Sequence, residues 1–501
     1  MKKIIYSALF VSVSVLFSFS QNEVDALRYS QSKIGGTARS VSMGNAFGSL
    51  GGDYTSVFIN PASLGIYRSS EFTFTPTFYF SQADANYRDN TMTDNKYNFN
   101  LNNLGLVGSF LTGDDEGWVS ANIAFGYNRT NNFHNYINIE GVNNNNSMTD
   151  YFAYRANNRD YSAVTDSTGT SVTGLSSFMG DLAWQTWLID LDQSQGYGNQ
   201  FLSPFNTYGA IQSKSITTRG HSGEYTFAFA ANYSHKVYFG ASMGIIGVSY
   251  DEHTEYTETD PEDKIYAFNS LTYNTHLKTT GTGFNFRFGT ILRPIDWVRF
   301  GFSIQTPSFF VLHDTYETSL NSAFTDTVIA DRNGGHSAIS PYGEYDYQLT
   351  TPFKAVGSIA LVILKKASVS FDYEFIDYSM ARLRADDYTF REENNMIDTR
   401  YVPVSNFRAG LEYTAGPFAM RGGWAYYGNP YKSSEINNKL EMQTFSGGIG
   451  FRQKDFFFDI AYALNMSSEN YFLYDSQTVS SGPAKIEKYT SRILTTFGFK
   501  F

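Results

Sequence analysis

From Glu71 onward the chain keeps returning to one pattern, in which every second residue is apolar and the residues between are polar. Glu71-Phe72-Thr73-Phe74-Thr75-Pro76-Thr77-Phe78-Tyr79-Phe80 sets phenylalanines on one face against Glu and Thr on the other. This is the two-residue period of a strand with one greasy and one polar side. Val298, Phe300, Phe302 and Ile304 likewise oppose Trp297, Arg299, Gly301, Ser303 and Gln305. Val369, Phe371, Tyr373 and Phe375 oppose Ser368, Ser370, Asp372 and Glu374. With 44 Phe and 37 Tyr, the apolar faces exceed what one soluble core easily buries. A transmembrane barrel accommodates them, because lipid-facing aromatics alternate with lumen-facing polar residues and the mean hydropathy still comes out at -0.31. Arginine in the lipid midplane costs about 2–4 kcal/mol, so residues such as Arg299 fix the phase of each strand with the polar face inward.

Polar loops set against alternating runs give fourteen expected strands, at about 70–81, 96–111, 117–135, 221–234, 236–251, 270–292, 297–319, 343–363, 367–380, 402–414, 416–427, 439–452, 455–474 and 486–501. An even count, with short turns at one end and long loops at the other, is the layout of a bacterial outer-membrane barrel. Asp84 to Asn95 reads as a polar loop, and an acidic loop is expected to follow the fifth strand as far as about 268. The long insertion at about 136–219 then belongs on the extracellular side. The last strand alternates Phe497, Phe499 and Phe501 with Thr496, Gly498 and Lys500. A terminal aromatic on such a strand resembles the signal read by the outer-membrane insertion machinery, which makes that machinery a partner through Phe501.

Ahead of the strands, Gly35 to Leu64 is apolar, small and rich in glycine without alternating, and it closes on Asn60-Pro61-Ala62. Glycine at this density permits tight turns and close approach, but such a segment neither spans a sheet nor belongs in water. The expected arrangement is all-β: a 14-stranded antiparallel transmembrane β-barrel over 70–501 with an N-terminal hatch, 21–69, plugging the lumen. Residues 1–20 carry Lys2, Lys3, an apolar run from Ile4 to Phe17 and a Ser18-Phe19-Ser20 exit, the features of a cleaved secretory signal peptide. A membrane anchor needs about 20 apolar residues, more than this run supplies. The chain has no Cys, which excludes disulfides and a lipid-modified cysteine, and its net charge of -11 argues against nucleic acid as a partner.

This order of parts, a glycine-rich segment ending in Asn60-Pro61-Ala62 and then a first aromatic strand, resembles the FadL/TodX family of outer-membrane transporters of hydrophobic compounds, in its Bacteroidetes form. The resemblance implies passive transport of small hydrophobic compounds such as long-chain fatty acids or aromatic hydrocarbons, with no cofactor and no hydrolysis. It further implies capture in extracellular loops, a lumen site gated by the hatch, and lateral exit at a kinked strand, for which Gly126 is the candidate.

Within the hatch, Phe47, Leu50, Phe58, Ile59 and Leu64 would give a polar tube an apolar interior surface. A greasy ligand gains about 0.8 kcal/mol per buried CH₂ on such a surface. A plug that only closes the pore is the alternative. In the insertion, Leu175 to Leu191 has helix length and apolar residues nearly all round, so it is expected to bury itself against other loops. Phe178, Trp184, Trp187 and Leu188 then line a capture groove, or else a purely structural cap over the barrel mouth. A related barrel that binds a partner protein, like the type IX secretion shuttle protein, is the alternative function.

Enzyme chemistry finds little footing. Gly220-His221-Ser222-Gly223 lacks the closing glycine of a nucleophile elbow, since Glu224 stands there. The acidic run from Asp251 to Asp263 offers carboxylates to calcium but lacks the ligand spacing and turn glycine of an EF-hand. The seven histidines show no metal-binding spacing. No metal and no catalytic residues are therefore assigned.

Overall fold

Where one face of a strand meets lipid and the other meets water, alternation holds through the whole membrane, and neighbouring strands must pair until no edge is left. The computed structural model describes residues 22–33, 35–158, 164–165, 172–192, 200–476 and 478–501; the expected signal peptide at 1–20 lies outside them. Among the described residues fourteen antiparallel strands form one closed wall. They are β1 (Glu71–Tyr87), β2 (Asn90–Leu111), β3 (Trp118–Asn132, continued by Asn135–Asn143), β4 (Ala210–Tyr233) and β5 (Val237–Thr259). There follow β6 (Phe268–Ile295), β7 (Val298–Gln305, continued by Phe309–Phe324), β8 (Gly343–Thr350, continued by Lys354–Ile363), β9 (Ala367–Asp377) and β10 (Pro403–Ala415). Last come β11 (Phe418–Tyr427), β12 (Met442–Arg452), β13 (Phe456–Phe472) and β14 (Pro483–Lys500). β14 pairs back onto β1 from Glu71↔Lys500 to Asn86↔Lys485. Ser70 and Phe501 exchange both backbone hydrogen bonds, each 3.1 Å, at the foot of this seam.

The phase is the expected one. Phe300, Phe302 and Ile304 are exposed on the outside while Ser303 is buried within, and on β9 Val369 and Phe371 face out while Ser370 and Asp372 face in. No described helix is long and apolar enough to cross a membrane. The strands do the crossing.

Beyond the apolar belt the strands run farther than alternation alone indicates. The stretch expected as a loop from Asp84 is the tip of a hairpin, in which β1 and β2 pair as far as Tyr87↔Asn90. Its two-residue turn, Arg88 and Asp89, has φ of 51° and 63°, the left-handed geometry that matches strand twist. The acidic run is likewise not a loop at its start. Asp251 to Thr259 stay paired with β6, out to Thr259↔Ser270. Above the lipid both faces of a strand meet water or polar loops, so the ladder continues without a hydrophobic signature.

The insertion correspondingly narrows to 144–209, since β3 continues to Asn143 and β4 begins at Ala210. Its expected long helix is replaced by a short one, Gly180–Gln185, ended by Trp187 at a φ of 58°. Met148–Asn158 forms a second helix, and both pack into an apolar cluster with Phe201, Phe205, Phe268, Leu320 and Phe324.

The hatch lies inside the wall. It comprises α1 (Glu23–Ser30), α2 (Ala38–Ser42) and two 3₁₀ turns, Tyr54–Phe58 and Pro61–Ile66. α1 starts on a capping box between Asn22 and Asp25.

Candidate ligand-binding site

Asn60-Pro61-Ala62 seats the hatch against β5 and β6. The Asn60 side chain accepts from Ala62 N at 3.1 Å and donates to Gly48 O at 2.7 Å and to Thr290 O of β6 at 3.2 Å. Pro61 opens the following 3₁₀ turn, where its missing N–H costs nothing. The wall has room for the motif because Gly240 and Gly289 stand opposite. A Cβ on Gly240 would lie 2.3 Å from the Pro61 carbonyl carbon.

Polar wall residues hold the hatch along its length. Asn102 donates to Gly36 O, Asn122 to Leu64 O, and Asp372 accepts from Gly48 N, at 2.7, 2.7 and 3.0 Å. Arg39 pairs with Glu412 of β10, which also takes Arg421 at 2.6 Å. The buried charges of this cluster thus meet opposite ones, which offsets their removal from water.

The hatch residues expected to bind ligand are mostly spent on this seating. Phe47, Leu50 and Ile59 pack with Met43 against Val356 and Ala360 of β8. Phe58 and Leu64 pack with Tyr54 against Val107, Ala124, Ala228 and Ala230. Phe58 also borders a small polar pocket with Tyr29, Glu224 and Arg287. Gly126 is part of the seating too. It sits in an unbroken ladder, Gly105↔Gly126↔Thr226, and its missing Cβ makes way for the Tyr54 ring.

β3 is instead interrupted at Phe133 and His134, after a register shift between Arg129 and Asn131. Below this break β2 and β3 pair from Leu111↔Ser120 to Asn103↔Asn128. Above it, β2 pairs with β1, and the continuation of β3 pairs with β4. Side chains rejoin the two sides higher up, where Asp94 accepts from Asn138 N at 2.7 Å and from its Nδ2 at 2.9 Å. Between these two seams the wall carries a gap in its backbone ladder, level with the outward aromatic pairs Phe78–Phe99 and Phe80–Tyr97.

A cavity of about 480 Å³ opens onto that gap from inside. Its lining combines Phe133, Ile137, Tyr250, Ile376 and Met442 with the cations Lys33, Arg129, Lys488 and Arg492. Lys33 projects from the hatch into this space. Its place deep within the barrel, and then the neighbouring Lys488 and Arg492, lower its pKa to about 8.

A second cavity of about 410 Å³ lies toward the loops and is bordered by Tyr151, Phe178, Met179, Tyr273 and Tyr316. The Phe178 ring lies tilted against Tyr316, 4.7 Å between ring centroids, and the Phe178 carbonyl accepts from Thr318 Oγ1 at 2.8 Å. Of the four expected groove residues only Phe178 lines this space. Leu188 is fully buried in the loop cluster, and Trp184 and Trp187 pack against it.

α1 separates the two cavities. Val24 and Arg28 of this helix, with Glu252 of β5, border both. Tyr29 meets Phe133 and Tyr250 edge-on, each at 6.4 Å, and the Arg28 guanidinium lies 4.2 Å from the centre of the Tyr250 ring. The N-terminal end of α1 is tied to the outer helix Arg391–Arg400 and its neighbour, through Arg400 to Glu23 at 2.7 Å and Tyr401 Oη to Glu23 O at 2.9 Å. Burial pushes the Asp25 carboxyl up against the pull of Arg28.

Ser222 and His221 are consecutive in β4, so strand geometry turns them to opposite faces. Ser222 Oγ is hydrogen-bonded to Thr130 Oγ1 at 2.9 Å.

No family model matches the chain, and no curated protein sequence does. Solved structures do. A FadL homologue of Pseudomonas aeruginosa superimposes with a TM-score of 0.53 at 12% identity, over 94% of this chain and 99% of that one. The toluene transporter TodX of P. putida gives a TM-score of 0.52 at 10% identity, over 94% and 99%. With its fourteen closed strands, apolar outer belt and luminal N-terminal segment, the chain has the fold of the FadL/TodX outer-membrane transporters.

Proposed function

We propose that this barrel carries small hydrophobic compounds inward by passive, stepwise diffusion, from the loop cavity past α1 into the luminal cavity and out sideways through the gap at Phe133 and His134. The observation that carries the reading is the continuity of these parts: two cavities share Val24, Arg28 and Glu252, and the inner one reaches the interrupted strand. Leaving at the level of Phe78, Phe99 and Tyr97 delivers a greasy molecule into lipid without passing through water. The hatch remains seated below the path and closes the pore to polar solutes.

The inner cavity favours an amphiphile over a bare hydrocarbon. A carboxylate placed beside Lys33 and Arg492 meets charge-assisted partners, Lys488 being held by Glu469 at 2.5 Å, while a tail on Phe133, Ile137 and Tyr250 gains about 0.8 kcal/mol per buried CH₂. A long-chain fatty acid therefore fits better than an aromatic hydrocarbon. Phe501, exposed at the end of β14, supports recognition by the insertion machinery.

Proteoliposomes carrying the barrel, offered labelled palmitate and labelled toluene in parallel, test the reading. Faster entry of palmitate than through empty liposomes is expected, with toluene less affected. Equal rates with and without protein for both compounds refute it, as does palmitate entry that persists unchanged when residues 35–64 are deleted while small-solute leakage also stays the same.

A further inference from the structure

Along the sequence the histidines show no metal-binding spacing, yet the β5–β6 hairpin brings two of them together. His253 stands directly opposite His276 in the ladder. Their rings stack with centroids 3.7 Å apart and planes 15° from parallel. Asp251, two residues before His253 and so on the same face, reaches both: His253 Nε2 lies 3.2 Å from Oδ1, and His276 Nε2 lies 3.5 Å from Oδ2. One ligand atom from each of the three residues falls within 4.8 Å of the other two.

Exposed side chains gain little from isolated ion pairs, so three of them converging on one point calls for a further cause. Two protonated imidazoles stacked face to face would repel each other. A cation held between them and the carboxylate removes that conflict, because neutral imidazole is the ligand form. Bonds of 2.0–2.2 Å in a tetrahedral site place neighbouring ligand atoms about 3.4 Å apart, a spacing the two N···O distances bracket. Glu317 of β7 faces His276 in the next ladder and borders the same recess, as Glu255 does. Imidazole donors select transition ions, whereas calcium and magnesium take oxygen ligands throughout.

The site lies outside the bilayer. On this face β5 presents Phe239, Met243 and Ile245 to lipid and then changes to Ser249, Asp251, His253 and Glu255. We propose that Asp251, His253 and His276, with Glu317 as fourth ligand, bind one divalent transition-metal ion of the zinc class on the outer face of the barrel, clasping β5, β6 and β7 above the membrane. The assignment is independent of what the lumen carries.

The test uses the full detergent-solubilised barrel, purified without a histidine tag and stripped with chelator, then titrated with Zn²⁺ and with Co²⁺. One ion per chain is expected, with the visible absorption of tetrahedral Co²⁺. His253→Asn and His276→Asn should each weaken Zn²⁺ at least tenfold, and Glu317→Gln severalfold. Heat-modifiable gel mobility reports that each variant is folded. Hydrogen exchange at 251–259 and 270–278 should slow with Zn²⁺ in the parent and not in His253→Asn. Zn²⁺ binding unchanged in the folded double His variant overturns the proposal. So does a site that takes Ca²⁺ as tightly as Zn²⁺, or a trio that binds neither and is only a hydrogen-bonded cluster.

Discussion

Arg39 of α2 and Glu412 of β10 form a two-pronged ion pair, Nη2 to Oε1 at 2.8 Å and Nε to Oε2 at 2.9 Å, that fastens the hatch to the wall. Glu412 also receives Arg421 at 2.6 Å, and Arg421 in turn pairs with Asp459 at 2.6 Å. One carboxylate therefore serves two guanidinium groups. Glu412→Gln leaves Arg39 without its carboxylate and Arg421 with Asp459 alone, while Arg39→Ala leaves Glu412 still paired with Arg421. Breaking a buried pair costs about 3 kcal/mol or more. Planar-bilayer conductance should rise in both variants, and more in Glu412→Gln.

The seat of Asn60-Pro61-Ala62 depends on a glycine in the opposing wall. A Cβ on Gly240 would lie 2.4 Å from Ala62 N, and both of its nearest partners there are backbone atoms that cannot swing away. Gly240→Val should displace the hatch, seen as faster proteolysis of residues 35–64 in otherwise folded barrel. Gly357→Val, with nothing within 4 Å of its Cβ, serves as the control and should behave as the parent.

Lateral exit predicts that stapling the gap stops transport. Lys96 Nζ lies 5.9 Å from the centre of the Tyr136 ring across the interval between β2 and the continued β3. The chain has no cysteine of its own, so Lys96→Cys with Tyr136→Cys introduces a single defined bridge. Oxidised double variant should lose at least tenfold in the rate of palmitate entry into liposomes, and reductant should restore it. Transport that is indifferent to the bridge places the exit elsewhere.

The luminal site should also respond to pH. Lys33, with its pKa lowered to about 8, is cationic below that value and neutral above it. A bound carboxylate favours the charged form. Palmitate affinity is therefore full near pH 7, where the carboxylate and Lys33 are both charged, and falls as pH rises through 8 and beyond. Lys33→Met should weaken binding and flatten the profile between pH 7 and 9.5, as measured by isothermal calorimetry in detergent.

The wall was legible because lipid imposes a physical period. Phe300, Phe302 and Ile304 against Ser303 could only face one way, and all fourteen strands are found where that alternation is strong. Beyond the bilayer the same chain forms strands without the pattern, so Asp251 to Thr259 read as loop. The hatch was recognisable from its glycines, but its contacts were not. Gly126 serves the Tyr54 ring, while the real break falls at Phe133 and His134, which carry no glycine or proline to announce it. Phe47, Leu50, Ile59 and Leu64 looked like a ligand surface because sequence shows apolarity and not its partner; the partner is the wall. Lys33, Lys488 and Arg492 are far apart in the chain and meet only through closure of the barrel. The His253–His276 pair was hidden for the same reason, although the register of a long β5–β6 hairpin would have revealed it.

The seam between β1 and β14 has a consequence for how the molecule is made. Ser70 and Phe501 join its two margins, and α2 donates from Ala38 N to Thr496 Oγ1 of β14 at 2.7 Å. The hatch is thus fastened to one side of the seam, so that closing the wall and seating the hatch are coupled steps of one folding event.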